Sequence, residues 1–194
     1  INAEINSYDA IIDSHGNPIF EAGNVTPMSI MDIVNNADNA LFYIVKDLAD
    51  DTRHLGRETV KSFGVRSRFV HFEFFRLLSD HEGLGKKGDL MALEVNMRPS
   101  GGFTPDMINF AYNINCYQYY ADMMIYDKLR HKTKTSPAFC VYVGRWKEHP
   151  YAHTHQEILE HWDKYLKVSE ELPEVLAHGM GNYMYLARFE SKEQ

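Results

Sequence analysis

The most informative segment of this sequence is Leu93-Glu94-Val95-Asn96-Met97-Arg98. Apolar and polar residues alternate along it, which predicts a β-strand because successive side chains of a strand point to opposite faces. Glu94, Asn96 and Arg98 would then share one face, while Leu93, Val95 and Met97 would enter the core. Three polar groups are therefore expected in a row on one strand.

Glu73 lies in the preceding predicted strand, residues 68–78, where it is flanked by phenylalanines. A carboxylate in such surroundings must be paired, hydrogen-bonded or bound to a cation. Residues 83–88 lack the pattern of a phosphate-binding loop and predict a hairpin turn between the two strands. The hairpin would place Glu73 beside Glu94, and such like charges are costly unless a cation lies between them.

Glu73, Glu94 and Asn96 together offer only oxygen ligands. Two carboxylates and an amide suit a hard cation such as Mg²⁺, which commonly keeps waters and shares its other positions with substrate phosphates. Arg98 carries a planar guanidinium suited to bidentate contact with a carboxylate or phosphate. Taken alone, the alternation favours a solvated strand face with a Glu to Arg ion pair.

These residues resemble the C-terminal lobe of the ATP-grasp enzymes, the superfamily that includes biotin carboxylase, carbamoyl-phosphate synthetase and many carboxylate-amine ligases. The resemblance rests on the ExNxR pattern of residues 94–98, on the upstream Glu73, and on residues 13–17, which match the family's D-x-x-G hairpin. It covers about residues 1–128 and implies an α+β fold, the C-terminal half of an ATP-grasp fold with a mainly antiparallel sheet and flanking helices.

The resemblance also implies roles for four of these residues. Glu73, Glu94 and Asn96 would bind two Mg²⁺ ions, with Mn²⁺ as a substitute, and Arg98 would be the catalytic residue that contacts the substrate or acyl phosphate. The implied enzyme is an ATP-dependent ligase of the carbamoyl-phosphate-synthetase kind. It would activate a carboxylate or bicarbonate as an acyl phosphate for attack by an amine.

Two further positions follow from the same resemblance. Phe75 would pack under the adenine ring of ATP, and Asp9 would point toward the nucleotide, although a plain surface aspartate is an equal alternative. Residues 99–106 depart from biotin carboxylases, which carry a Glu-His pair there, and this argues against their way of activating bicarbonate. The rival interpretation is a non-catalytic nucleotide-binding, metal-binding or interaction module of degenerate ATP-grasp origin.

The predicted organisation is a lobe over residues 1–130 and a small β-α-β appendage over residues 131–194. The appendage would contain strands at 138–143 and 181–189 and a helix at 154–166. The chain starts at Ile1, without methionine, and enters a strand pattern at once. We therefore expect a fragment whose missing partner is the N-terminal lobe of the same enzyme.

Four histidines of the appendage could instead form a metal-binding module, namely His149, His153, His155 and His161. They lack the i, i+4 spacing of a zinc helix and have no cysteine nearby. Surface and helix-entry positions are therefore the preferred interpretation, with Thr154 as the N-cap and Glu157 as its capping-box partner.

Two helices are predicted between the ExNxR strand and the appendage. Thr104 and Pro105 have the character of an N-cap followed by proline at the first helical position. Asn115 predicts the start of a second helix, and a stripe of apolar residues along it is expected in the core: Tyr117, Tyr120 and Met124.

Composition limits the remaining possibilities. The chain has 194 residues and a net charge of −7, the wrong sign for a surface that collects nucleic acid or anionic lipid. No apolar run approaches the roughly 18 residues of a membrane span, so we expect a cytoplasmic protein. The resemblance implies that its partners are small-molecule carboxylates and amines. Whether it forms a homodimer stays open. Cys116 and Cys140 predict reduced core thiols, because the chain shows no disulfide framework.

Overall fold

The computed structural model describes residues 1–27, 38–133 and 136–193. The strands are β1 (Ala3–Ile12), β2 (Pro18–Ala22), β3 (Asn24–Thr26), β4 (Leu41–Ile44), β5 (Arg68–Leu77), β6 (Leu90–Asn96), β7 (Phe139–Arg145), β8 (Leu166–Glu171) and β9 (Tyr183–Phe189). The helices are α1 (Asp50–Ser62), α2 (Thr104–Tyr112), α3 (Cys116–Tyr126), α4 (His155–Trp162) and α5 (Glu174–Met180).

The described strands form a single sheet in the order β6-β5-β1-β3-β4-β7-β9-β8, with β2 also paired to β1. Every pairing is antiparallel. One core lies between the sheet and helices α2 and α3, and a second includes Val60 of α1 packed with Tyr8 and Phe72. The predicted α+β architecture, a mainly antiparallel sheet with flanking helices, is confirmed.

A close approach fixes α1 against β1. Gly56 lies in the middle of α1, and a Cβ built on it would be 2.2 Å from Cγ of Tyr8. The missing side chain is thus what lets the helix backbone lie directly on the Tyr8 ring. The phenol of Tyr8 in turn donates a hydrogen bond of 2.8 Å to Glu21 on β2.

The turn between β1 and β2 has the predicted hairpin structure. The carboxylate of Asp13 accepts hydrogen bonds from the backbone N–H groups of His15 and Asn17, at 2.9 and 2.7 Å. Gly16 has φ of 86°, a left-handed conformation that glycine adopts without strain. The D-x-x-G pattern therefore stabilises the turn itself.

The structure corrects the predicted face of α3. Asn115 is its N-cap as expected, and its side chain accepts the N–H of Gln118 at 3.0 Å. The predicted core stripe is wrong for Tyr117 and Met124, which are 54% and 56% exposed. The stripe that enters the core is Cys116, Tyr119 and Met123.

Two other local predictions need correction. Thr104 is the first residue of α2 rather than its cap, because Phe103 occupies the cap position and no side chain caps this helix. Leu93 is 41% exposed rather than in the core. The register between β5 and β6 shifts after Glu73, so that Leu93 lies at a β-bulge.

The C-terminal region contains more secondary-structure elements than the predicted β-α-β unit. The strands at 138–143 and 181–189 are found as β7 and β9, and Thr154 and Glu157 form the expected capping box. The predicted helix ends at Trp162, and β8 and α5 follow where no element was predicted. Because β7 pairs with β4 as well as β9, the sheet is continuous, and the division at residue 130 stays a prediction.

No helix within the described ranges is long and apolar enough to cross a membrane. Both cysteines are buried and free, as predicted.

Candidate functional site

Six polar side chains lie in two rows across the strands β1, β5 and β6. One row joins Asp9, His71 and Asn96, and the next joins Ser7, Glu73 and Glu94, each residue being the Cα partner of the next. Directly opposite residues of antiparallel strands have Cβ atoms about 5 Å apart. The sheet therefore gathers residues from three distant parts of the sequence on one face.

Apolar residues border this polar block on both sides. Phe69 of β5 is the partner of Ile11, and its ring packs edge-on against Tyr120 of α3. On the other side, Phe75 is partly buried and pairs with Ile5 and Met91. Phe75 thus lies on the same face as Glu73, as the sequence predicted.

Hydrogen bonds connect three of the side chains through His71. Nδ1 of His71 is 2.8 Å from Oδ1 of Asp9, and Nε2 is 3.0 Å from Oε1 of Glu73. The second oxygen of Asp9 accepts the hydroxyl of Ser7 at 2.5 Å, and the backbone N–H of Asn24 donates to that hydroxyl at 2.9 Å.

This cluster places one cation between two carboxylates. Burial alone would lower the pKa of His71, but the neighbouring carboxylates of Asp9 and Glu73 outweigh it and raise this pKa to about 10. The imidazole is therefore cationic at neutral pH. A buried cation between two carboxylates satisfies the requirement that buried charges be paired.

Glu94 and Asn96 differ from Glu73 in having no such partner. Within the described part of the chain, no hydrogen bond or ion pair involves their side-chain atoms, and Oε2 of Glu73 is likewise unbonded. Arg98 is exposed, and its Nη1 donates to the carbonyl of Pro99 at 2.9 Å. Oxygen ligands without protein partners fit the coordination preference of Mg²⁺.

Histidine, cysteine and carboxylate residues alone do not build a metal site here. Among the residues that the structure describes, no group of three or more of them is placed to hold a metal ion. The four appendage histidines likewise form no such group. His155 instead contacts the hydroxyl of Tyr185 at 2.7 Å, and His161 packs edge-on against Trp162. The preferred surface and helix-entry interpretation of these residues is consistent with their positions.

The structure contradicts one of the two sequence-based expectations for Asp9. Its side chain is completely buried, so the alternative of a plain surface aspartate is wrong. Sequence reasoning missed His71 and Ser7. The available signal was the alternation of His71 with Glu73 on one strand, which places both on the same face.

Comparison with solved structures shows where this fold occurs. The chain is similar to phosphoribosylglycinamide synthetase from Anaerococcus prevotii, with a TM-score of 0.60 and 15% identity over 97% of this chain and 49% of that one. It is also similar to the phosphoribosylaminoimidazole carboxylase ATPase subunit from Aquifex aeolicus, with a TM-score of 0.60 and 14% identity over 98% of this chain and 52% of that one.

A third similar structure is the biotin carboxylase domain of a thermophilic 2-oxoglutarate carboxylase bound to bicarbonate. Its TM-score is 0.56 and its identity is 10%, over 97% of this chain and 43% of that one. The same domain from Hydrogenobacter thermophilus is described as a dimer in complex with MgADP, ADP and bicarbonate. No protein-family model matches the sequence, and the search of curated proteins gave no match.

These structures belong to ATP-grasp ligases, so the predicted relationship in fold is confirmed. At such low identity the likeness establishes the fold alone. The chain spans about half the length of the structures that it matches.

Proposed function

We propose that this chain is the metal-binding half of an ATP-dependent ligase that activates a carboxylate as an acyl phosphate for attack by an amine. The observation that carries the proposal is the pairing of Glu73 with Glu94, beside Asn96, on one sheet face of an ATP-grasp fold. Two facing carboxylates are unfavourable in a sheet unless a cation joins them.

Glu73, Glu94 and Asn96 are the proposed ligands of Mg²⁺, for which Mn²⁺ can substitute. When bound, the metal would neutralise the negative charge of the ATP phosphates. Phe75 is the next residue after Glu73 on the same face of β5. It is the proposed apolar support of the adenine ring. Asp9 is enclosed, so its proposed contribution to nucleotide binding is exerted through His71 and Glu73.

In the proposed reaction, a substrate carboxylate attacks the γ-phosphorus of ATP, ADP leaves, and an acyl phosphate forms. An amine then attacks the acyl carbon, loses a proton and displaces phosphate, which gives an amide. Arg98 supplies positive charge to the oxygens on which negative charge develops. Its guanidinium is exposed and bonded to one backbone carbonyl, so contact with a substrate would break only that hydrogen bond. Arg98 is therefore the proposed catalytic residue.

The proposed partners are a small-molecule carboxylate, an amine and an N-terminal lobe of the same enzyme. Residues 99–106 lack the Glu-His pair of biotin carboxylases, which favours an organic carboxylate over bicarbonate activated in that way. The similar structures are about twice as long as this chain, in keeping with a second lobe in the active enzyme.

The test measures acyl-phosphate formation by the encoded full-length protein. ATP, Mg²⁺ and pools of carboxylic acids are supplied with hydroxylamine, which traps an acyl phosphate as a hydroxamate. We expect hydroxamate and ADP in equal amounts, and we expect Glu94→Gln to abolish both. Glu82→Gln is the matched control, because Glu82 is an exposed carboxylate in the hairpin loop.

Retained turnover in the Glu94→Gln variant would refute the metal-binding role of Glu94. Binding of MgATP by the full-length protein without turnover of any carboxylate would instead indicate the non-catalytic binding module. Both outcomes are distinguishable from misfolding by circular dichroism of the same samples.

A further inference from the structure

A series of hydrogen-bonded side chains, Ser7, Asp9, His71 and Glu73, connects the interior of the sheet to the candidate metal site. Side-chain exposure increases from 0% at Asp9 to 7% at His71 and 19% at Glu73. The innermost contact is a backbone N–H, that of Asn24, which donates to Ser7. The series thus begins at the main chain and ends at a proposed metal ligand.

Contacts on both edges of the ring fix the orientation of His71. Its Nδ1 lies 2.8 Å from Oδ1 of Asp9, and its Nε2 lies 3.0 Å from Oε1 of Glu73. Because the side chain of Asp9 is completely buried, its contact with Nδ1 holds the ring so that Nε2 points at Glu73.

We propose that Asp9 and His71 are positioning residues that reserve Oε1 of Glu73 and leave Oε2 as the only oxygen this carboxylate offers to a divalent cation. The inference rests on the proposed metal-binding role of Glu73. It goes beyond that role because it assigns the orientation of the ligand to two residues that do not touch the cation.

The physical reason is that a carboxylate turns freely unless a second group holds it. Hydrogen-bonded neighbours orient metal ligands, and their loss commonly weakens metal affinity by about 10-fold to 100-fold. Glu94 has no comparable neighbour among the described residues, so the two carboxylates of the site are not equivalent. Glu73 is fixed on one side, whereas Glu94 can adjust to the cation.

Two substitutions of His71 separate positioning from filling of space. His71→Gln keeps an N–H donor near the position of Nε2, which faces Glu73. His71→Asn keeps a donor near the position of Nδ1, which faces Asp9, and removes the one that faces Glu73. Both remove the ring, so a purely structural role would affect the two variants alike.

The experiment titrates Mn²⁺ into the chain and measures the free ion by electron paramagnetic resonance. We expect His71→Asn to bind Mn²⁺ about 10-fold more weakly than the wild type and His71→Gln to recover to within about threefold of it. Equal affinities in the wild type and both variants would overturn the proposal, as would equal losses in both variants.

A metal-free measurement keeps the proposal testable if a variant does not fold. Nuclear Overhauser contacts in the wild type should show a single orientation of the His71 ring, with its Nε2 edge toward Glu73, and averaging of the ring over several orientations would overturn the proposal. Glu94→Gln separates this inference from the proposed function. If the wild type does not bind Mn²⁺, or if Glu94→Gln binds it equally well, the proposed metal site fails whatever the His71 variants do.

Discussion

Glu73 on β5 and Glu94 on β6 are direct Cα partners, and their side chains point to the same face of the sheet. Among the residues that the structure describes, only Glu73 of the two has a cationic neighbour, because Nε2 of His71 lies 3.0 Å from its Oε1. Like charges directly opposite each other destabilise a strand pair. Repulsion between the two carboxylates therefore opposes folding when no cation is bound between them.

The first prediction concerns stability with and without metal. With a chelator present, the free energy of unfolding of Glu94→Gln should exceed that of the wild type by about 0.5 kcal/mol, since the substitution removes the like charge opposite Glu73. Adding Mg²⁺ should stabilise the wild type and leave the variant unchanged. Urea unfolding with EDTA and with Mg²⁺ measures both effects.

Glu82→Gln is the control for this prediction, because it removes the same charge from an exposed loop position. It should retain the stabilisation by Mg²⁺. A Glu94→Gln variant that is less stable than the wild type in EDTA would indicate that Glu94 makes a structural ion pair, contrary to the metal-site interpretation.

The candidate metal ligands could be predicted from the sequence because they depend on local alternation. A strand that places Glu94 and Asn96 on one face does so whatever surrounds it. The environment of Asp9 could not be predicted in this way. It depends on the register of β1 against β5, which joins Asp9 to His71 across 62 residues of sequence.

The wrong face of α3 has a different physical cause. The helix carries two apolar stripes at helical spacing, one through Tyr117 and Met124 and one through Tyr119 and Met123. Periodicity identifies both and cannot choose between them, because the choice depends on what the helix packs against. Burial of Tyr119 and Met123 is decided by the sheet and by α2.

The second prediction concerns the contact between α1 and β1. Replacing glycine by alanine inside a helix usually increases stability, by up to about 1 kcal/mol. Gly56→Ala should instead decrease it by about 2 kcal/mol, because the new Cβ would overlap the Tyr8 ring. Urea unfolding at neutral pH measures the change.

Gly179→Ala is the matched helical control. Gly179 lies in α5, and a Cβ built there has no atom within 4 Å. This variant should be as stable as the wild type or slightly more stable. If both variants are stabilised, the close approach of α1 to Tyr8 does not exist in solution.

The third prediction concerns the two thiols. Burial raises the pKa of both Cys116 and Cys140 to about 12. The thiolate is the reactive form, so both should resist Ellman's reagent at pH 8 in the native protein. Two thiols per chain should react once urea unfolds it. Rapid reaction of either thiol in the folded protein would contradict this packing.

The fourth prediction concerns acid stability and the ion pair between α1 and β5. Arg76 donates to both oxygens of Asp51, at 2.7 and 2.9 Å, and these hydrogen bonds lower the pKa of Asp51 to about 2. A carboxyl whose pKa is lowered by folding contributes stability above its unfolded pKa, about 3.9. That contribution is lost as the pH falls through about 2.

Because the side chain of Asp51 is 53% exposed, water screens the pair, and its contribution should not exceed about 1 kcal/mol. Asp51→Asn should therefore be less stable than the wild type at pH 7, and the difference should shrink as the pH falls from about 4 toward 2. Urea unfolding across this range measures it. Asp163→Asn removes an exposed carboxylate that makes no hydrogen bond or ion pair within the described residues, and should show no such convergence. A constant difference between wild type and Asp51→Asn at all pH values would mean that the substitution acts through packing, because only an ionised Asp51 can hold Arg76 in this geometry.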